Sequence, residues 1–85
     1  MVLIQEINVP GCVDCRRFEE WWKTNSSRFP NAKLEQISAI DPKGQELISK
    51  FSIFASPGII INNELFSTGG VDFKKLEENF IYMII

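Results

Sequence analysis

The chain has no histidine, and its 85 residues include only two cysteines. Without histidine it lacks the commonest metal ligand and the commonest general base. It also lacks any block or stripe of lysine and arginine. Its net charge is −2, so nothing is arranged to neutralise a run of phosphates, and we expect no nucleic-acid partner. No apolar run approaches the ~20 residues needed to cross a bilayer, so we expect no membrane role. Repeats and low-complexity tracts are missing too. Met1 runs straight into a short apolar segment, with neither the basic lead nor the small-residue cleavage site of a signal peptide. The expected location is therefore cytoplasmic. Thiols there are kept reduced, and a close cysteine pair is more often catalytic or metal-binding than structural.

What the sequence does have is material for a core: 45% of residues are hydrophobic and 12% aromatic. A chain this short hides only about two-thirds of its unfolded surface, so that core must be efficient. We expect one domain over residues 1–85, acting as a monomer.

Residues 2–9 read as a strand that is apolar on both faces apart from Gln5, Glu6 and Asn8, as a central strand would be. Pro10-Gly11 ends it. A helix then starts at Cys12 or Val13 and runs to about Asn25. Cys15, Phe18, Trp21 and Trp22 fall on one face, with Arg16–Glu20 and Glu19–Lys23 as i,i+4 pairs on the other. Trp21 and Trp22 cannot both face the core, so one is expected inside and one at its margin. "NSSRFPN" is a loop, and the alternation in "AKLEQIS" marks a second strand. Asp41 is an N-cap followed by Pro42 at the first helical position of a short helix that contains Gly44 and ends near Phe51. Residues 58–61, with Ile59, Ile60 and Ile61, and residues 64–67 are strands joined at Asn62-Asn63, which suits a tight hairpin. Gly69-Gly70 is a break. Asp72 caps a last helix through about Tyr82, with Phe73, Leu76, Phe80 and Met83 inward. The apolar end "FIYMII" either covers the sheet or forms a contact with a partner. The order β-α-β-α-β-β-α predicts an α/β fold: a four-stranded mixed sheet with helices on both faces.

Cys12 and Cys15 have three readings. Zinc sites are tetrahedral, and one pair supplies half the ligands, so zinc would need two chains. As a staple the pair closes a loop of one helical turn and constrains little of the unfolded chain. As a redox dithiol it is well placed. The N–H groups and positive dipole end of the helix stabilise a thiolate at Cys12, while Cys15 sits one turn in, on the buried face. Cys-x-x-Cys between a strand and a helix is a redox pattern. Asp14 works against a thiolate nearby, and Arg16 and Arg17 offset it.

The element order, "GCVDC" at the strand-to-helix turn, "SPG" at Ser56, and "GGVD" before the last helix together resemble the thioredoxin/glutaredoxin superfamily over almost the whole chain. In length the chain is similar to glutaredoxins and to the small thioredoxin-like redox-active disulfide proteins. The resemblance implies that Pro57 is a cis-proline facing the dithiol, and that the backbone of Ser56 pairs with substrate like an added strand. It makes Cys12 the nucleophile and Cys15 the resolving thiol. Gly11, Ser56, Pro57, Gly69, Gly70 and Asp72 become the substrate-binding surface.

Within the superfamily the two branches leave different marks. Glutaredoxins commonly have Cys-Pro-Tyr-Cys with a basic residue just upstream. Here Val13-Asp14 separate the cysteines, and Val9-Pro10-Gly11 precede them. Gly69-Gly70 and Asp72 match the glutathione site, but the next position, often polar, is Phe73. Thioredoxins usually place Trp before the first cysteine and Gly-Pro between the two, and both are absent. They also carry a buried acid upstream at an offset that falls here on Glu6. A carboxylate in a central strand is costly unless paired or working, so Glu6 is either the acceptor of the Cys15 proton or a residue toward a strand end or under a helix edge, salt-bridged to Lys or Arg.

The expected function is thiol–disulfide exchange on protein disulfides, with no cofactor in the chain and with electrons from a thioredoxin-reductase-type donor or glutathione. The alternatives are a glutathione-dependent glutaredoxin, a non-catalytic binding module, and a two-chain metal or iron–sulfur carrier.

Overall fold

Val2–Asn8 forms strand β1, the centre of the molecule, because both of its faces are apolar enough to be covered. The structure is a computed structural model; it describes residues 2–84, with side chains as far as Asn79. Helix α1 follows at Val13–Asn25 and ends in a 3₁₀ turn at Ser26–Arg28, within the stretch expected to be loop. Strand β2 is Ala32–Ser38, helix α2 is Pro42–Phe51, strands β3 and β4 are Gly58–Ile61 and Glu64–Thr68, and helix α3 is Phe73–Ile84. The four strands lie in the order β2-β1-β3-β4. β1 runs parallel to β2 and antiparallel to β3, and β3 is antiparallel to β4. The expected order of elements and mixed sheet are therefore present.

The pleat of β1 sorts the core into two halves. Val2 and Ile4 pack with Phe18, Phe29, Ile59, Ile61 and Leu76 beneath α1 and α3. Ile7 packs with Ile37, Ala39, Leu47 and Ile60 on the α2 side. Each fully buried side chain of this size contributes about 1.5–3 kcal/mol. Both tryptophans are half-buried. Trp21 stacks on Phe73 at 5.3 Å and on Phe29 at 6.2 Å, and Trp22 lies beside it.

Local devices join these halves. Asn62 and Asn63 take positive φ angles of 48° and 69° at the hairpin turn, and the Leu3 N–H donates to Asn62 Oδ1 at 2.8 Å. Asp72 caps α3, accepting from the Lys75 N–H at 3.2 Å. Asp41 holds the N-cap position of α2 but makes no side-chain cap bond; Pro42 sets the first turn instead. Among the described residues the ion pair on α1 is Arg17–Asp14 at 3.8 Å, in place of the expected Arg16–Glu20 and Glu19–Lys23 pairs. The apolar C-terminal end, with the expected inward positions Phe80 and Met83, lies outside the described side chains. No helix among the described residues is long and apolar enough to cross a membrane.

Candidate active site

Gly11, at φ +75°, takes a left-handed conformation that costs other residues a steric clash, and so turns the chain sharply from β1 into α1. That turn delivers Cys12 to the N-cap of α1 in extended conformation, with Cys15 in the first turn. The two form a disulfide with Cα atoms 5.2 Å apart. Cys12 Sγ accepts the Cys15 N–H at 3.0 Å, so one of the unpaired donors at the helix start points at this sulfur. Cys12 is half-exposed, whereas Cys15 is 3% exposed. One sulfur is open to a partner and the other is packed beneath it.

The loop after α2 brings the second wall. The Ser56–Pro57 bond is cis, and Pro57 is fully buried. The Ser56 hydroxyl donates to Cys12 Sγ at 3.3 Å. Thr68, at the end of β4, holds this loop with its hydroxyl: it donates to the Ala55 carbonyl at 2.9 Å and accepts the Ala55 N–H at 3.0 Å. The Gly69 N–H donates to the Pro57 carbonyl at 3.1 Å. Thr68 was not marked from the sequence; its signal was its place one residue before Gly69-Gly70.

Glu6 is 0% exposed, at the centre of the sheet. It shares the α1 face with Ile4, because alternate residues of a strand point the same way. Its in-register partner on β2 is Gln36, whose Nε2 donates to Glu6 Oε1 at 3.1 Å. Glu6 Oε2 is buried with no hydrogen-bond partner. Burial pushes the carboxyl up to about 8. The neighbouring Glu19 carboxyl pushes the same way, against hydrogen bonds from Gln36 and Asn8. Glu6 is thus neither at a strand end nor ion-paired among the described residues. Gln36 and Glu19 were also missed. The first is legible once the parallel register is known, and the second as the position one turn beyond Cys15.

Two clefts flank the cysteines. One, of about 300 Å³, is lined by Asn8, Cys12, Cys15, Arg16 and Glu19 among others. The other, of similar volume, is lined by Asp14, Arg17, Gly70, Val71, Asp72 and Phe73. Among the described residues no three of histidine, cysteine, aspartate and glutamate converge as a metal site. The sequence-marked residues thus divide: Cys12, Cys15 and Ser56 meet directly, Glu6 lies below the sheet surface facing α1, and Gly70 and Asp72 line the second cleft.

No protein-family model matches the chain, and no curated protein sequence does. Solved structures do. Thioredoxin O2 of Arabidopsis thaliana superposes with a TM-score of 0.75 at 15% identity, over 98% of this chain and 75% of that one. The thioredoxin of Fasciola hepatica gives 0.72 at 15% identity, over 95% and 79%. A malarial protein gives 0.72 at 18% identity, over 98% of this chain and 96% of its own. Topology and superposition agree: this chain has the thioredoxin-like fold.

Proposed function

We propose that the protein is a thiol–disulfide oxidoreductase that reduces disulfides in protein substrates. The observation that carries this reading is the asymmetry of the pair: Cys12 half-exposed at a helix N-cap with two donors on its sulfur, Cys15 buried behind it. A thiolate at Cys12 is stabilised by the Cys15 N–H and the Ser56 hydroxyl. It attacks one sulfur of the substrate disulfide. The Cys12–substrate S–S bond forms, the substrate S–S bond breaks, and one substrate sulfur leaves as a thiolate and is protonated. Cys15 then gives up its proton and attacks Cys12 Sγ. The Cys12–Cys15 bond forms, the mixed disulfide breaks, and the second substrate thiol leaves. Two electrons have passed from protein to substrate. Glu6, with its raised proton affinity and its place facing α1, is the internal relay for the Cys15 proton, taking it up in its ionised form. Gly11, Ser56 and Pro57 form the platform on which an extended substrate segment lies.

The chain needs no cofactor of its own. We assign the donor to a thioredoxin-reductase-type flavoenzyme in a reducing, cytoplasmic setting, because Phe73 stands where a polar group would hold the γ-glutamyl end of glutathione. A glutaredoxin reading has one observation in its favour: Arg17 lines the cleft that holds Gly70 and Asp72, and so offers a cation to a carboxylate there. The test is reduction of insulin disulfides coupled to the flavoenzyme, beside glutathione-driven reduction of a small glutathione mixed disulfide. Flavoenzyme-coupled turnover supports the reading, and turnover with glutathione alone makes the protein a glutaredoxin. Failure in both assays leaves a binding module, and metal or colour in the purified protein marks a carrier.

A further inference from the structure

Glu6 is sealed from solvent, so a proton delivered to it needs a way out. The charged and polar groups facing it are Glu19 on α1, Gln36 on β2 and Asn8 on its own strand; β3 presents Ile59 in register. No cation faces it among these. Glu19 lies one turn beyond Cys15 and is half-buried, and its carboxyl neighbours that of Glu6. Glu19 also lines the cleft shared by Asn8, Cys12, Cys15 and Arg16, which opens to solvent. Glu6 Oε2 has no donor. Two carboxylates placed together without a cation repel, whereas a single proton held between them turns one into a donor for the other.

We propose that Glu6 and Glu19 form a carboxyl pair that shares one proton and passes the Cys15 proton to solvent, Glu19 being the exit. The proposal rests on the oxidoreductase reading and specifies its proton path. When Cys15 attacks Cys12, its S–H bond breaks and the proton enters the pair at Glu6. Glu19 releases a proton into the cleft, where the departing substrate thiolate or water takes it up. The proton held between the carboxyls supplies the partner that Glu6 Oε2 lacks.

Two measurements test this, and they fail independently. The first needs no activity: the Glu6 side-chain carboxyl is followed by ¹³C NMR against pH in the oxidised protein, for wild type and Glu19→Gln. Losing the neighbouring carboxylate moves the Glu6 midpoint down by about one unit or more. An unchanged midpoint overturns the pair. The second reads resolution alone. The reduced protein is mixed with the aromatic disulfide 5,5′-dithiobis(2-nitrobenzoate), whose second thiolate is released only as Cys15 attacks the Cys12 mixed disulfide. In Glu19→Gln that phase slows about tenfold, less than the loss of a whole general base, and added small carboxylate or imidazole buffer restores it. Glu19→Asp, which keeps the carboxyl, retains most of the rate and controls for misfolding. An unchanged second phase, or one insensitive to buffer, refutes the exit role. If wild-type protein never releases the second thiolate, the oxidoreductase reading fails and the transfer with it, and the NMR titration alone decides the shared proton.

Discussion

The Ser56 hydroxyl and the Cys12 sulfur, 44 positions apart in the chain, lie 3.3 Å from each other with the hydroxyl as donor. A hydrogen bond of this kind favours a charged sulfur over a neutral one. Replacing Ser56 by Ala removes one of the two donors to Cys12 while leaving the Cys15 N–H in place. A bond worth about 1 kcal/mol predicts that Ser56→Ala slows iodoacetamide alkylation of the reduced protein about fivefold near neutral pH. The alkylation profile also moves to higher pH. Equal rates in the two proteins would show that the hydroxyl does not act on the thiolate.

The two cysteines have unequal roles because their burial is unequal. Cys12→Ser is expected to abolish protein-disulfide reduction. Cys15→Ser is expected to leave Cys12 able to attack but unable to release, so substrate proteins accumulate as mixed disulfides visible on non-reducing gels. Full turnover by Cys15→Ser without added glutathione would contradict the resolving role.

Glu6 makes stability depend on pH with a definite sign. In the folded protein its carboxyl keeps a proton up to about 8, against 4.5 for an ordinary glutamate. Between those values unfolding releases the proton, so raising the pH favours the unfolded chain. Stability is fullest below about 4.5 and is lost as pH rises through that window. The loss is up to about 5 kcal/mol, a large share of a small domain's total. Urea midpoints of the oxidised protein at about pH 5 and about pH 9 should differ widely in wild type and much less in Glu6→Gln. Parallel profiles for the two proteins would rule out Glu6 as the source.

Gly44 is the point where α2 lies against the end of β2. A Cβ there would collide with the Ser38 carbonyl, which is backbone and cannot swing aside. Although alanine is the better helix former, Gly44→Ala is expected to destabilise the protein by about 1–3 kcal/mol, the usual cost of overpacking. Chemical denaturation measures this, and a stabilised variant would show that α2 shifts freely.

The fold was legible because its signals are local. The apolar run ending at Pro10-Gly11, the Asn62-Asn63 turn and the Asp72 cap each fix one boundary in the structure. The dithiol was legible for the same reason, since both cysteines sit within one helical turn. The contacts that complete the site join distant segments. Gln36 reaches Glu6 only through the parallel register of β1 and β2. Thr68 reaches Ala55 only after the β3–β4 hairpin returns. Helical periodicity marks Glu19 as an outward partner of Lys23, because it cannot show that the Glu6 carboxyl is buried in the strand that this helix covers. Asp41 stands at the N-cap as expected but makes no side-chain bond, because Pro42 sets the helix start whether or not the side chain turns back.

Both tryptophans lie on α1, the helix that begins at the disulfide, and Trp21 is stacked among Phe18, Phe29 and Phe73. The half of the core on the other side of the sheet, under α2, contains no tryptophan. Intrinsic fluorescence is therefore a one-sided reporter. Loosening of the α1–α3 layer shifts its colour. Fraying of α2 passes unseen and is read instead by amide exchange along Pro42–Phe51.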